Sequence, residues 1–156
     1  MKADYHVHCE FSDDSIYPME EVVKDAIAMG LDEICFTDHV DYGVKTDWDS
    51  GEEIRRRAGN LMVNVDYPRY FASIRRLQEK YRGQITLKKG LELGVQTHTA
   101  DKFQALTEKY PLDFAILSIH QVRDMEFWTG EFQAGRSQKE YNDEYYQELL
   151  KVVQVF

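Results

Sequence analysis

The stretch "DYHVHCEFSDDS", residues 4–15, sets His6 and His8 one residue apart and follows them with Asp13 and Asp14. Imidazole and carboxylate together suit Zn, Mn or Fe better than Ca or Mg alone. Side chains alternate along an extended strand, so a His-x-His pair turns both rings to one side, where both can reach one cation. Asp14, or its neighbour Asp13, can curl back from the following loop to an adjacent site. Clustered cations of this kind can clamp a phosphoryl group and generate hydroxide near neutral pH. Taken alone, the two histidines fit a structural role at a strand end better than a metal site. The same residue types recur downstream, however. Asp38 and His39 stand in "FTDHVD", Glu92 in "GLELG" and His120 in "LSIH". That convergence makes metal binding the stronger reading.

Each of these residues falls at the end of a predicted strand. "ADYHVH" reads as the first strand. A helix fits residues 18–29, with Pro18 in its first turn, Glu20 and Glu21 at its positive end, and Met19, Val22, Val23, Ala26 and Ile27 as its apolar stripe. Gly30 stops it. "LDEICFTDH" follows as a second strand, and strand, helix, strand over so short a span predicts a parallel pair. Residues 41–65 read as a long polar loop, of the kind that is more often functional than idle. A second helix fits 67–82, with Tyr67, Tyr70, Phe71, Ile74, Leu77 and Tyr81 on one side. "ITLKKGLELG" is a third strand and 99–110 a short helix. "LDFAILSIH" is a fourth strand, apolar enough for burial on both faces. After a polar loop, Tyr141, Tyr145, Leu149, Val152 and Phe156 recur at helical spacing, as core packing does. The fold class is α/β with parallel strands. In parallel barrels the active site lies at the C-terminal strand ends.

A chain of 156 residues that is 43% hydrophobic can bury a sizeable core. A net charge of −9 argues against a nucleic-acid or membrane surface, yet allows a small phosphorylated substrate held through cations. No apolar leader or membrane-length run is seen. Cys9 and Cys35 make no disulfide framework, so a cytoplasmic location is expected.

The motifs HVHCEFSDD, FTDHVD, GLELG and LSIH resemble, in order, those of the polymerase-and-histidinol-phosphatase (PHP) superfamily. "FTDHVD", "YPLDFAILSIH" and "YNDEYYQELLKVV" are most similar to its monofunctional histidinol-phosphatases. The resemblance implies a distorted (β/α)7 barrel with a trinuclear site of Zn, Mn or Fe. By motif, His6 and His8 bind the first metal, Glu92 bridges the first and second, His120 binds the second, and Asp14 and His39 bind the third. Glu92, His120 and His39 are thereby the expected catalytic set. The implied reaction is hydrolysis of L-histidinol phosphate in histidine biosynthesis. A related phosphoesterase acting on nucleotides is the alternative within enzymes. A metal- or phosphate-binding module without catalysis is the alternative outside them.

The family pattern also includes a later Gly-His-x-Asp-type histidine and a final Asp-x-His pair, both past Phe156. Residues 1–156 are therefore expected to supply about the first four β/α units of an incomplete domain. Such a sheet has an open edge able to draw in another copy, and little activity by itself. Among the remaining polar residues, Asp38 reads as a carboxylate that orients His39 or its loop. His98 reads as a surface or capping residue, and with Arg123 it is the candidate for contact with substrate. Arg55, Arg56 and Arg57 read as a solvated face, and the two cysteines as small semi-buried residues without catalytic chemistry.

Overall fold

A computed structural model describes residues Met1–Val155. Phe156, last of the predicted apolar stripe, lies outside the described residues. In chain order the elements are β1 (Ala3–Val7), α1 (Met19–Ala28), β2 (Glu33–Phe36), β3 (His39–Val40), β4 (Arg56–Arg57), β5 (Asn60–Leu61), α2 (Tyr67–Lys80), β6 (Thr86–Gly94), a 3-10 turn (Thr97–Thr99), α3 (Ala100–Lys109), β7 (Phe114–Ser118), β8 (Gln121–Val122), β9 (Met125–Glu126) and α4 (Gln138–Val155). The chain divides into two compact units. Unit 1 is Met1–Val40, Asn64–Glu92 and Leu112–Ile116. Unit 2 is Asp41–Val63, Leu93–Pro111 and the chain from Leu117 onward.

Unit 1 is built on one sheet with strand order β1-β2-β6-β3, and β7 pairs with β6. The β1–β2 and β2–β6 ladders are parallel, as the alternation of strands and helices requires. Helix α1 buries Met19, Val23 and Ala26, and Gly30 ends it at a positive φ of 72°. Helix α2 is capped by Asp66, whose side chain accepts from the Arg69 N–H. It buries Tyr67, Tyr70, Phe71, Ile74 and Leu77, with Tyr81 buried just past its end. Glu20 of α1 pairs with Arg76 and Lys80 of α2 and accepts from the Tyr81 hydroxyl, tying the two helices together.

Strand β6 packs closely against its neighbours. A Cβ at Gly90 would stand 2.6 Å from Cys35 Sγ, 2.8 Å from the Phe36 carbonyl oxygen and 2.9 Å from that of Phe114. Only glycine lets the strands approach so closely. The fully buried Tyr70 spans the same place, donating its hydroxyl to the Gly90 carbonyl at 3.0 Å. At the far side of the sheet, the β1–β2 register slips by one residue between Asp4 and Val7. Such irregularities re-aim side chains near sites.

Strand β7 departs from expectation. Its apolar residues are not buried on both faces: Phe114 is 39% and Leu117 36% exposed. Apolar composition reports what a strand can bury, not what lies against it.

Unit 2 contains two small antiparallel ribbons, β4–β5 and β8–β9. The first lies inside the segment expected to be an irregular polar loop. Its polar composition is misleading, because Tyr42, Val44, Lys45, Thr46 and Met62 are all buried. Phe103 of α3 meets the Tyr42 ring at 4.8 Å, and Phe127 meets Phe132 at 5.0 Å and Tyr145 of α4 at 5.6 Å. Helix α4 begins at Gln138, earlier than its apolar periodicity marks. Ser137 and Glu140 form a reciprocal capping box there. Of the predicted stripe on this helix, Val152 is fully buried while Tyr141, Tyr145 and Leu149 are half-buried. No helix among the described residues is long and apolar enough to cross a membrane.

Candidate metal centre

Five of the sequence-predicted residues meet in unit 1. His6 and His8 come from the end of β1, Asp14 from the loop after it, His39 from β3 and Glu92 from the end of β6. Glu92 Oε2 lies 2.8 Å from His6 Nε2, 3.0 Å from His8 Nε2 and 3.7 Å from His39 Nδ1. One carboxylate oxygen thus faces three imidazoles. Asp14 Oδ2 is the second anionic centre, 2.9 Å from His8 Nδ1 and 3.4 Å from His39 Nε2. The Asp14 side chain that carries this carboxylate is itself 50% exposed. The rings themselves stand close, with centroids 4.9 Å apart for His6 and His8 and 4.4 Å apart for His8 and His39.

The site is open at His6 and Asp14. Their side chains are 59% and 50% exposed, against 16% for His8 and His39 and 6% for Glu92. Charge and burial compete at His8. Burial works to lower its pKa, but the carboxylates of Glu92 and Asp14 outweigh it and push the pKa up to about 9. Burial likewise works to raise the Asp14 pKa, and the pairing with His8 and His39 overrides it, holding the carboxyl below its usual range.

The loop between β1 and α1 is positioned by Asp38. This fully buried carboxylate accepts the Cys9 N–H at 2.9 Å and the Cys9 thiol at 3.2 Å. Burial raises its pKa, and the bonds from Cys9 and Ser12 offset only part of that rise. Ser12 Oγ in turn accepts the His39 N–H at 2.9 Å. Asp38 therefore acts on the backbone around His8 and His39 rather than on an imidazole. Burial pushes the Cys9 thiol far up and that of Cys35 to about 12, so neither is a thiolate nucleophile.

The remaining predicted residues belong to unit 2. His120 Nδ1 lies 2.7 Å from Asp41 Oδ1, and Asp41 Oδ2 lies 2.8 Å from Lys45 Nζ. Burial works to raise the Asp41 pKa, but His120 and Lys45 hold it down at about 2. Sequence reading missed Asp41, although it stands in "FTDHVD" three residues past Asp38. His98 is exposed, with Nε2 3.1 Å from Asp124 Oδ1. Arg123 lies in the β8–β9 turn, and its Nε is 2.9 Å from Glu144 Oε1, so its charge is already matched. Of the arginine run, Arg55 donates to the Val44 carbonyl at 2.6 Å and Arg57 pairs with Glu126. The run is thus bonded within its own unit rather than simply solvated.

In unit 1 the donors fit a borderline transition cation. The ligand atoms of His6, His8 and Glu92 lie within 4.8 Å of one another, and so do those of His8, Asp14 and His39. His8 Nε2 is buried, and its approach to Glu92 lacks the alignment of a hydrogen bond. A buried nitrogen left so, beside an acceptor-only carboxylate, is the environment a cation satisfies.

The PHP domain family profile matches residues 4–155. The chain is 35% identical over 156 residues to the histidinol-phosphatase of Lactococcus lactis subsp. lactis (strain IL1403), covering 99% of this chain and 53% of that protein. It is 27% identical over 128 residues to the histidinol-phosphatase of Bacillus subtilis (strain 168), covering 78% and 45% respectively. Among solved structures, the fold matches histidinol phosphate phosphatase from L. lactis complexed with zinc, L-histidinol and phosphate. The TM-score is 0.84 at 34% identity, over 99% of this chain and 54% of that one. The chain spans about half the length of the curated relatives it matches.

Proposed function

Because the chain belongs to the PHP domain family, we propose that it forms the metal-binding part of a phosphatase that hydrolyses L-histidinol phosphate in histidine biosynthesis. The observation that carries this is the oxygen Oε2 of the buried Glu92 standing among His6, His8 and His39. The zinc, L-histidinol and phosphate bound by the L. lactis protein support the same substrate and metal here. Manganese and iron suit the same donors.

His6, His8 and Glu92 would hold one cation; His8 or its neighbours Asp14 and His39 would hold another. His120, by motif, would serve a further one. When bound, such cations supply Lewis acidity toward a phosphoryl group and a nucleophile at neutral pH. The protein's own groups prepare the place. Asp14 takes the Nδ1 side of His8 and leaves Nε2 for a ligand bond. Asp38 and Ser12 fix the backbone of Cys9 and His39, so the rings cannot drift apart. The exposed His6 edge is the side from which a small phosphorylated metabolite enters. The buried free thiols of Cys9 and Cys35 suit a reducing cytoplasm.

The test is phosphate release from L-histidinol phosphate by the protein as its own cells make it. Activity should vanish with a chelator, return with zinc or manganese, and fall far more than stability in Glu92→Gln. Full activity after exhaustive metal removal would refute the reading. A strong preference for nucleotides would replace the substrate but keep the chemistry.

A further inference from the structure

We propose that Asp41 is a positioning residue for His120, holding its imidazole in the tautomer that carries the proton on Nδ1 and keeps the lone pair on Nε2. The purpose assigned to it rests on the reading of His120 as a metal ligand; the geometry stands apart from that reading.

Asp41 is anchored through both carboxylate oxygens. Oδ1 lies 2.7 Å from His120 Nδ1 and Oδ2 2.8 Å from Lys45 Nζ. Lys45 sits four residues further along the chain, and its side chain is only 3% exposed. A buried ammonium is costly without a partner, so the Lys45 charge keeps Asp41 ionised and turned in place. An ionised carboxylate only accepts hydrogen bonds. The atom facing it must therefore donate, and that atom is Nδ1. In the neutral ring, the proton on Nδ1 leaves Nε2 as the lone-pair nitrogen. The His120 side chain is 25% exposed, so the ring is not sealed within the unit. The chain also keeps the space the pair occupies. A Cβ at Gly94 would collide with Asp41 Oδ1 and stand 2.8 Å from His120 Nδ1.

The tautomer can be read directly. Nitrogen-15 spectra of the imidazole rings would be recorded on the whole chain, freed of metal by a chelator, at a pH where the rings are neutral. His120→Gln assigns the resonances. In the wild type, His120 should show a protonated Nδ1 and a lone pair on Nε2. Asp41→Asn keeps the shape but replaces one of the two carboxylate oxygens with an amide NH2, leaving one oxygen. The charged Lys45 takes that oxygen, the amide NH2 turns to the ring, and the tautomer should invert, with the proton now on Nε2. A merely space-filling role for Asp41 would leave the tautomer unmoved by this isosteric change.

Wild-type His120 protonated on Nε2, or no inversion in Asp41→Asn, would overturn the proposal. Should Asp41→Asn fail to fold, the wild-type spectrum decides, and an Nε2 proton there overturns it. The expected spectra from a protein that releases no phosphate would support this inference while sinking the phosphatase reading alone.

Discussion

Zinc affinity at the His6–His8–Glu92 group is expected to rise steeply over a pH window that an ordinary histidine would not give. The perturbation is pH itself, and the magnitude follows from His8. Its pKa is pushed up to about 9 by Glu92 and Asp14, against the lowering effect of burial. At pH 7 the ring is two pH units below that value, so only about one molecule in a hundred offers Nε2 as a lone pair. Zinc must expel the proton to bind. That displacement costs about 2.7 kcal/mol at pH 7, at 1.36 kcal/mol per unit, before solvent on the open His6 side trims it. Affinity should therefore climb about tenfold per pH unit between 7 and 9 and level off above 9. Competition against a chromophoric zinc chelator at fixed free zinc, from pH 6.5 to 9.5, measures the slope. His8→Ala should weaken binding and remove most of that slope. A curve already level at pH 7, or a slope unchanged in His8→Ala, would show that the two carboxylates do not hold His8 protonated.

The same group predicts a stability effect in the metal-free chain. The folded pKa of His8 lies above the usual 6.5, so its contribution is full below pH 6.5 and lost as pH rises through about 9. With a chelator present, the unfolding free energy from urea melts should fall over that range by on the order of 1–2 kcal/mol, and His8→Gln should flatten the fall; a free energy that rises would contradict the pairing. Gly94→Ala should destabilise by about 1–3 kcal/mol in thermal or urea melts, because a methyl there collides with Asp41; an unchanged melting temperature would rule out that crowding. Tyr70→Phe strips the Gly90 carbonyl of its buried hydroxyl donor and should lose about 1–3 kcal/mol. Ile74→Ala, at a site with no solvent exposure, should lose about 2–5 kcal/mol, read from the same melts.

How much of this was legible in the sequence depends on the kind of signal each feature leaves. The four main strands and four helices could be read, because apolar periodicity is strong in α1 and α2 and each strand ends on a conspicuous polar residue. The gathering of His6, His8, Asp14, His39 and Glu92 could be anticipated for the same reason. Asp41 and Lys45 left no readable trace. A buried ion pair inside a polar segment looks like any solvated stretch until its burial is known. The start of α4 was missed because a capping box is polar, while periodicity registers only apolar residues. Arg123 was read as a candidate for contact with substrate, and the sequence cannot show Glu144 across from it. The exposure of Phe114 and Leu117 on β7 was hidden by their composition.

The "GLELG" segment of β6 shows why the site and the sheet make one demand on the chain. Residues alternate along a strand, so Gly90, Glu92 and Gly94 share one face while Leu91 and Leu93 share the other. Both leucines are fully buried, and they fix which face turns to the core. The opposite face must present Glu92 to its imidazoles. Two residues back, Gly90 lets the Phe36 and Phe114 backbones approach. Two residues on, Gly94 leaves room for the Asp41–His120 pair. A side chain at either position would displace an atom that cannot easily yield: backbone oxygen at Gly90, a doubly anchored carboxylate at Gly94. Conservative apolar changes at Leu91 or Leu93 alter only core volume, which can repack at modest cost. The glycines have no such latitude. The five residues therefore encode strand pairing, core orientation and the placement of one carboxylate together, and a one-residue slip of β6 would lose all three.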